Sequence, residues 1–185
     1  MRIVVGISGA SGAIYGVRTL DVLRQLGVET HLVLSDTAGE TIAYETPYRL
    51  EDVLAMAGKV YRAGDLAAAI SSGSFPTDGM IVAPCSIKTL SGIAHSYNDN
   101  LLTRAADVTL KERRKLVLVV RETPLHLGHL RLMTAVTETG AVILPPMPSF
   151  YHKPQTIDDI VNQTVGKVLD QFGLDASLFR RWTGL

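Results

Sequence analysis

Cysteine is nearly absent. Cys85 is the only one in 185 residues, so an intramolecular disulfide is excluded and a reducing compartment suits the chain. Neither sign of charge is in excess, since 18 Lys and Arg balance 18 Asp and Glu. That removes any bulk electrostatic pull toward nucleic acid or an anionic membrane. No uninterrupted apolar run approaches the roughly 18 residues of a membrane span. The start lacks the apolar h-region of a signal peptide, because Arg2 leads straight into a strand-like run, and a cytoplasmic protein is expected. No linker or internal repeat interrupts the chain, so residues 1–185 are expected to form one domain. What is present is apolar: 46% hydrophobic against 19% charged, slightly rich for a lone soluble domain and suited to extra buried subunit interface.

Short runs rich in Val, Ile and Leu recur at Ile3–Ile7, Thr30–Leu34, Gly79–Ala83, Leu116–Val120 and Ala141–Leu144. Their near-continuous apolarity predicts strands covered on both faces. Amphipathic segments separate them: Ala13–Leu26, Thr37–Tyr44, Leu50–Met56, Ile87–Ala94, Leu101–Arg113, Leu125–Glu138 and Ile157–Phe172. Alternating strands and helices predict an α/β fold, a Rossmann-like or flavodoxin-like parallel sheet with helices on both faces. Ligands of such sheets sit beyond the carboxyl ends of the strands. The segments to inspect are therefore Ser8–Gly12, Ser35–Asp36, Pro84–Thr89, Arg121–Thr123 and Pro145–Lys153.

Ser8-Gly9-Ala10-Ser11-Gly12 offers small residues, hydroxyls and the first free N–H groups of a helix, the makings of an anion site. Gly6, Gly9 and Gly12 are spaced G-x-x-G-x-x-G, which is not the dinucleotide fingerprint, and no Walker lysine follows. A tight strand–helix turn is the bland alternative. Asp36 stands where a ribose-binding acid would fall in a dinucleotide fold, but reads better as a helix N-cap. Ser86, Lys88 and Thr89 form a second polar turn; Cys85 beside them reads as a buried small residue rather than a nucleophile. Arg104 and Lys111 are seven apart, nearly two turns, so they share a helix face suited to an anion, a subunit contact or snorkelling. Arg121 and Glu122 end an apolar strand, with an ion pair as the bland reading; Thr123 and Pro124 suit the N-cap and first position of the next helix. His126 and His129 lack an evident third ligand, so no metal is expected. The proline-rich Pro145–Pro154 segment pins Tyr151, and Lys167 on the last helix is a further candidate phosphate cation or an ordinary surface lysine.

GISGASGAIYG, SSGSF, PCSIKTLSGIAHSYNDNLLTRAADVTLKERR, VVRETPLHLGHL and PPMPSFYHKPQTIDDIVNQTV, in this order and over nearly the whole chain, resemble the flavin prenyltransferases, once described as 3-octaprenyl-4-hydroxybenzoate carboxy-lyases. The resemblance implies a homododecamer that takes reduced FMN as substrate and joins a dimethylallyl group, from dimethylallyl monophosphate, to flavin N5 and C6 without a metal. The prenylated FMN would then serve a partner decarboxylase of ubiquinone biosynthesis or aromatic acid metabolism. By motif, Gly9, Ala10, Ser11, Ser35, Ser86, Ile87, Lys88, Thr89 and Arg121 are implied to meet FMN. Glu45, Arg104, Lys111, Tyr151 and Lys167 are implied at the prenyl phosphate, and Ser11, Glu45, Lys111 and Glu122 in catalysis. Two departures stand out. Lys167 replaces an arginine frequent in relatives and loses its bidentate fork. Asp65-Leu66-Ala67 stands where some relatives carry a tryptophan.

Three competing readings follow from the same residues. A flavin-dependent cysteine decarboxylase would need an asparagine in a PxMN-type motif, which PPMPSFY does not supply. An FMN carrier or helper subunit would bind flavin and leave its mass unchanged. Direct decarboxylation of an aromatic acid would proceed without a partner protein.

Overall fold

The computed structural model describes residues 1–184. The chain alternates strands and helices as Arg2–Ile7 (β1), Ala13–Gln25 (α1), Glu29–Leu34 (β2), Ala38–Glu45 (α2), Leu50–Leu54 (α3), Lys59–Tyr61 (β3), Gly79–Cys85 (β4), Ile87–Ala94 (α4), Leu101–Lys111 (α5), Lys115–Val120 (β5), Leu127–Glu138 (α6), Val142–Ile143 (β6) and Ile157–Asp170 (α7), with a single 3-10 turn at Ala69–Ser71. The strands form one six-stranded sheet in the order β3-β2-β1-β4-β5-β6, every pairing parallel. This is the doubly wound Rossmann order.

Sheet pleating sorts the core. Ile3, Val5 and Ile7 of β1 face the side covered by α1 and α7, where they meet Val17, Leu20, Leu23, Val161, Val165 and Leu169. Val4, Met80 and Val82 face the other side and pack with Leu90, Ile93, Leu102 and Ala105 of α4 and α5. Strands buried on both faces carry no polar alternation, which is why β1, β4 and β5 are continuous apolar runs.

Several boundaries differ from the sequence expectation, each for a local reason. β3 was not expected. It is a three-residue edge strand with Val60 41% exposed, too short and too open for an apolar run. The Leu125–Glu138 helix begins only at Leu127. Its N-cap is His126, whose Nδ1 accepts from the Gly128 N–H at 3.0 Å, so Thr123 and Pro124 are not its cap and first residue. Asp36 does not cap α2 either: the N-cap position is Thr37, without a side-chain capping bond. The Leu101–Arg113 helix stops at Lys111, and Arg113 turns the chain with a φ of 56°.

Candidate functional site

The sheet order reverses between β1 and β4, so the loops leaving these two strands part and open a crevice at the sheet's carboxyl edge. Ser8 ties the two loops together. Its hydroxyl donates to the Pro84 carbonyl at 2.8 Å and accepts the Ser86 N–H at 2.9 Å, and the residue is 1% exposed. Gly12 then enters α1 with φ 96°, a left-handed conformation that costs a residue with a Cβ about 1–2 kcal/mol.

The N-terminus of α1 already holds an anion, and it belongs to the chain. Glu45, at the end of α2, accepts the Gly12 N–H at 2.7 Å and the Ala13 N–H at 3.3 Å through Oε2. Partial burial works against ionisation of this carboxyl. The Ser11 hydroxyl, the two N–H groups and the field of Arg121 outweigh it and hold the group below the usual carboxylate range. The expectation of a free anion site at Ser8–Gly12 is therefore corrected: Glu45 fills it, and Ser11, Glu45 and Arg121 form one cluster. Arg121 itself is anchored by its N–H to the Cys85 carbonyl. Glu122 accepts the Thr123 N–H at 3.0 Å. Among the described residues Arg121 and Glu122 make no ion pair with each other, so the bland reading of that dipeptide is not realised.

The open crevice lies next to that cluster. A cavity of about 250 Å³ is lined by Gly9, Ser35, Ser86, Lys88 and Thr89 from the expected flavin set. Ser86 caps α4, its Oγ accepting the Thr89 N–H at 3.2 Å and bonding the Thr89 hydroxyl at 3.1 Å. The remaining N–H groups of that first turn have no intrahelical acceptor. Ser35 Oγ is buried with no hydrogen-bond partner among the described residues, an orphan that a polar ligand would satisfy. Gly9 sits so close to Thr37 that a Cβ there would come 1.9 Å from the Thr37 hydroxyl. Ile87 packs instead against the core under α4, and Ala10 lies in the turn. Sequence reading missed the opposite wall, where Asp99, Asn100 and Thr103 close the cavity. Asn100 caps α5 by accepting the Thr103 N–H at 3.0 Å, so a second helix N-terminus borders the cavity. The local signal for it was the Asn-Asp-Asn run ahead of an amphipathic segment.

Of the remaining expected residues, Lys111 and Lys167 are not at this edge. Arg104 and Lys111 do share a face of α5, turned toward the 71–74 loop. Arg104 Nε donates to the Ser71 carbonyl at 3.1 Å and Nη1 pairs with Asp107 at 3.0 Å; Lys111 pairs with Glu112. Lys111 ends α5 just before β5 begins, at the amino edge of the sheet. Lys167 pairs with Asp170 at 3.3 Å, beside Gln171, whose carbonyl accepts Lys115 Nζ at the start of β5. Lys167 is therefore at the amino edge too. Tyr151 packs edge-on against Trp182, ring centroids 6.1 Å apart. One chain thus divides the expected residues between two edges of the sheet.

Cys85 is fully buried, and burial pushes its thiol far up, which fits a packing residue. The His126 and His129 rings lie with centroids 3.6 Å apart and planes tilted by 33°, and no group of three or more His, Cys, Asp or Glu is arranged to hold a metal among the described residues. No helix among them is long and apolar enough to cross a membrane.

The Flavoprotein family model matches residues 1–169. Flavin prenyltransferase UbiX of Thauera aromatica is 67% identical over 184 residues, covering 100% of this chain and 95% of the relative. The crystal structure of AnUbiX (PadA1) in complex with FMN and dimethylallyl pyrophosphate superposes with a TM-score of 0.98 at 55% identity, covering 100% of this chain and 98% of that one. A dodecameric FMN-dependent UbiX-like decarboxylase from Escherichia coli O157:H7 does so with a TM-score of 0.98 at 56% identity and full coverage of both chains. The peptidyl-cysteine decarboxylase EpiD shares the fold alone, with 18% identity and a TM-score of 0.61 over 80% of this chain and 82% of that one.

Proposed function

The chain belongs to the flavin prenyltransferases of the UbiX type, and from that membership we propose that the whole chain acts as one cytoplasmic flavoprotein domain joining a dimethylallyl group to N5 and C6 of reduced FMN. The observation that carries the assignment of the site is the cavity at the α4 N-terminus with the orphaned Ser35 hydroxyl. Its size and polar walls suit the ribityl-phosphate end of FMN, with Ser86, Lys88 and Thr89 at the phosphate. The isoalloxazine would then extend toward Gly9–Ser11, Glu45 and Arg121.

The donor is proposed to be dimethylallyl monophosphate; the AnUbiX complex holds the pyrophosphate. Breaking the allylic C–O bond leaves positive charge on the prenyl group and negative charge on the departing phosphate. Arginine and lysine stabilise the latter, and the electron-rich flavin the former. No metal is required for that division of charge. Glu122 and the Ser11–Glu45 pair are proposed to move protons as the fourth ring closes. The product is proposed to serve a partner decarboxylase.

Arg121 lies with Glu45, while Lys111 and Lys167 lie at the amino edge. The reading therefore requires an oligomer, a dodecamer by analogy with the E. coli O157:H7 protein, in which neighbouring copies bring Lys111, Lys167, Arg104 and Tyr151 to each flavin. Exposed Tyr44, Leu127, Met147, Phe150 and Ile157 supply apolar surface for such contacts. Anaerobic incubation with reduced FMN and dimethylallyl phosphate tests the reaction: flavin mass is expected to rise by one C5 unit. Unchanged mass would favour a carrier, and release of carbon dioxide from an aromatic acid by the purified chain alone would favour direct decarboxylation.

A further inference from the structure

The flavin cavity carries an unusual charge for a phosphate site. Lys88 is the one cation among its lining residues, and it is opposed by two carboxylates, Asp36 and Asp99. Asp99 stands in its wall with a defined orientation. Its Oδ1 accepts from Asn100 Nδ2 at 3.0 Å and from the Thr103 hydroxyl at 3.4 Å, which leaves Oδ2 facing Lys88 Nζ at 3.5 Å. The Asp99 side chain is 30% exposed and tied by Asn100 and Thr103, whereas the Lys88 side chain is 81% exposed, so the carboxylate is the better fixed partner and the ammonium the more mobile one. Lys88 and Asp99 also line a second concavity, shared with Ser91, His95 and Tyr97. Lys88 thus has room to swing away from the phosphate position without leaving Asp99.

A site built only to retain FMN gains nothing from this carboxylate. It engages the cation that the phosphate needs and repels the dianion directly. A site that must give up its flavin after modifying it does gain. We infer that Asp99 is a release-setting residue: it competes with the flavin phosphate for Lys88 and so fixes how readily flavin leaves. The inference rests on the proposed placement of the FMN phosphate at the α4 N-terminus. Asp99 Oδ2, 3.5 Å from Lys88 Nζ, and the flavin phosphate compete for the same ammonium, so Lys88 binds one at the expense of the other. Asn100, which caps α5 and holds Asp99, keeps the competing carboxylate in range throughout.

The test is binding of FMN, and of riboflavin as a phosphate-free probe, to the assembled wild-type protein and to Asp99→Asn. Flavin fluorescence gives the Kd and stopped flow the dissociation rate. Asp99→Asn is expected to bind FMN about three- to tenfold more tightly, through slower dissociation, with riboflavin unchanged. High salt should shrink the difference, and a Lys88→Ala background should shrink it as well. Local damage would weaken binding, so tightening is a sign that misfolding cannot imitate. Unchanged or weaker FMN binding in Asp99→Asn overturns the inference, as does full tightening without Lys88. If wild-type protein binds riboflavin as well as FMN, the phosphate placement itself fails, and that result is separate from the outcome for Asp99.

Discussion

Glu45 shows how one side chain changes the meaning of a motif. Small residues, hydroxyls and the free N–H groups of a helix start suggested an open anion cradle, whereas the carboxylate 33 residues away closes it. Glu45→Gln keeps the acceptor oxygen but removes the charge, so α1 should lose about 0.5–1 kcal/mol, read as a small fall in denaturant midpoint at neutral pH. The sign of the pH dependence follows from the lowered folded-state pKa. The charge contributes stability above the unfolded value of about 4.5, and that contribution is lost as pH falls through the folded value. The wild-type and Glu45→Gln unfolding midpoints should therefore converge in acid, below pH 4.5, and a constant gap down to the lowest pH would remove Glu45 from this role. Gly9 makes a second prediction at the same scale. Gly9→Ala would press a methyl to 1.9 Å from the Thr37 hydroxyl and 2.8 Å from Thr37 Cβ, displacing a residue of the cavity wall. FMN affinity should fall at least about tenfold, with roughly 1–3 kcal/mol lost in stability. Adding Thr37→Gly should restore much of both, as measured by flavin titration and thermal unfolding.

Elements were legible in proportion to how their burial writes itself into residue order. β1, β4 and β5 are sealed on both faces and appear as unbroken apolar runs. α4 was legible to the residue, because Ser86 caps it beside the polar turn. β3 was invisible because Lys59-Val60-Tyr61 is an edge with two exposed positions. α6 began later than its Thr-Pro signal because a histidine ring nitrogen does the capping, a role outside the usual N-cap residues. The site followed the same logic. The loops after β1, β2, β4 and β5 could be named from the sheet rule, but Ser8 bridging two loops and Asp99 closing the cavity depend on chain crossings that spacing does not encode. α7 provides the element-scale prediction. Thr156 and Asp159 form a reciprocal capping box, the hydroxyl accepting the Asp159 N–H at 3.1 Å and the carboxylate accepting the Thr156 N–H at 2.9 Å. Thr156→Ala should cost about 1 kcal/mol, a fall in Tm of roughly 2–4 °C. FMN affinity should stay the same, because α7 contributes nothing to the cavity wall.

The division of the expected residues between two sheet edges is a property of the whole molecule, and helix periodicity could not reveal it. A spacing of seven puts Arg104 and Lys111 on one face but says nothing of their height against the sheet. With Lys111 at the foot of α5 and Glu45 at the head of α1, the two cannot serve the same flavin within one chain. Subunit mixing turns this geometry into a measurement. Glu45→Gln and Lys111→Ala should each lower prenyl transfer at least about tenfold while leaving assembly intact. Co-refolded in equal amounts, they should recover activity, because a random closed assembly joins an intact Glu45 to a neighbour's intact Lys111 in about a quarter of its sites. Each variant mixed with itself serves as the control. If both residues acted within one chain, every site would carry one lesion or the other, and the mixture would show only the average of the two variants.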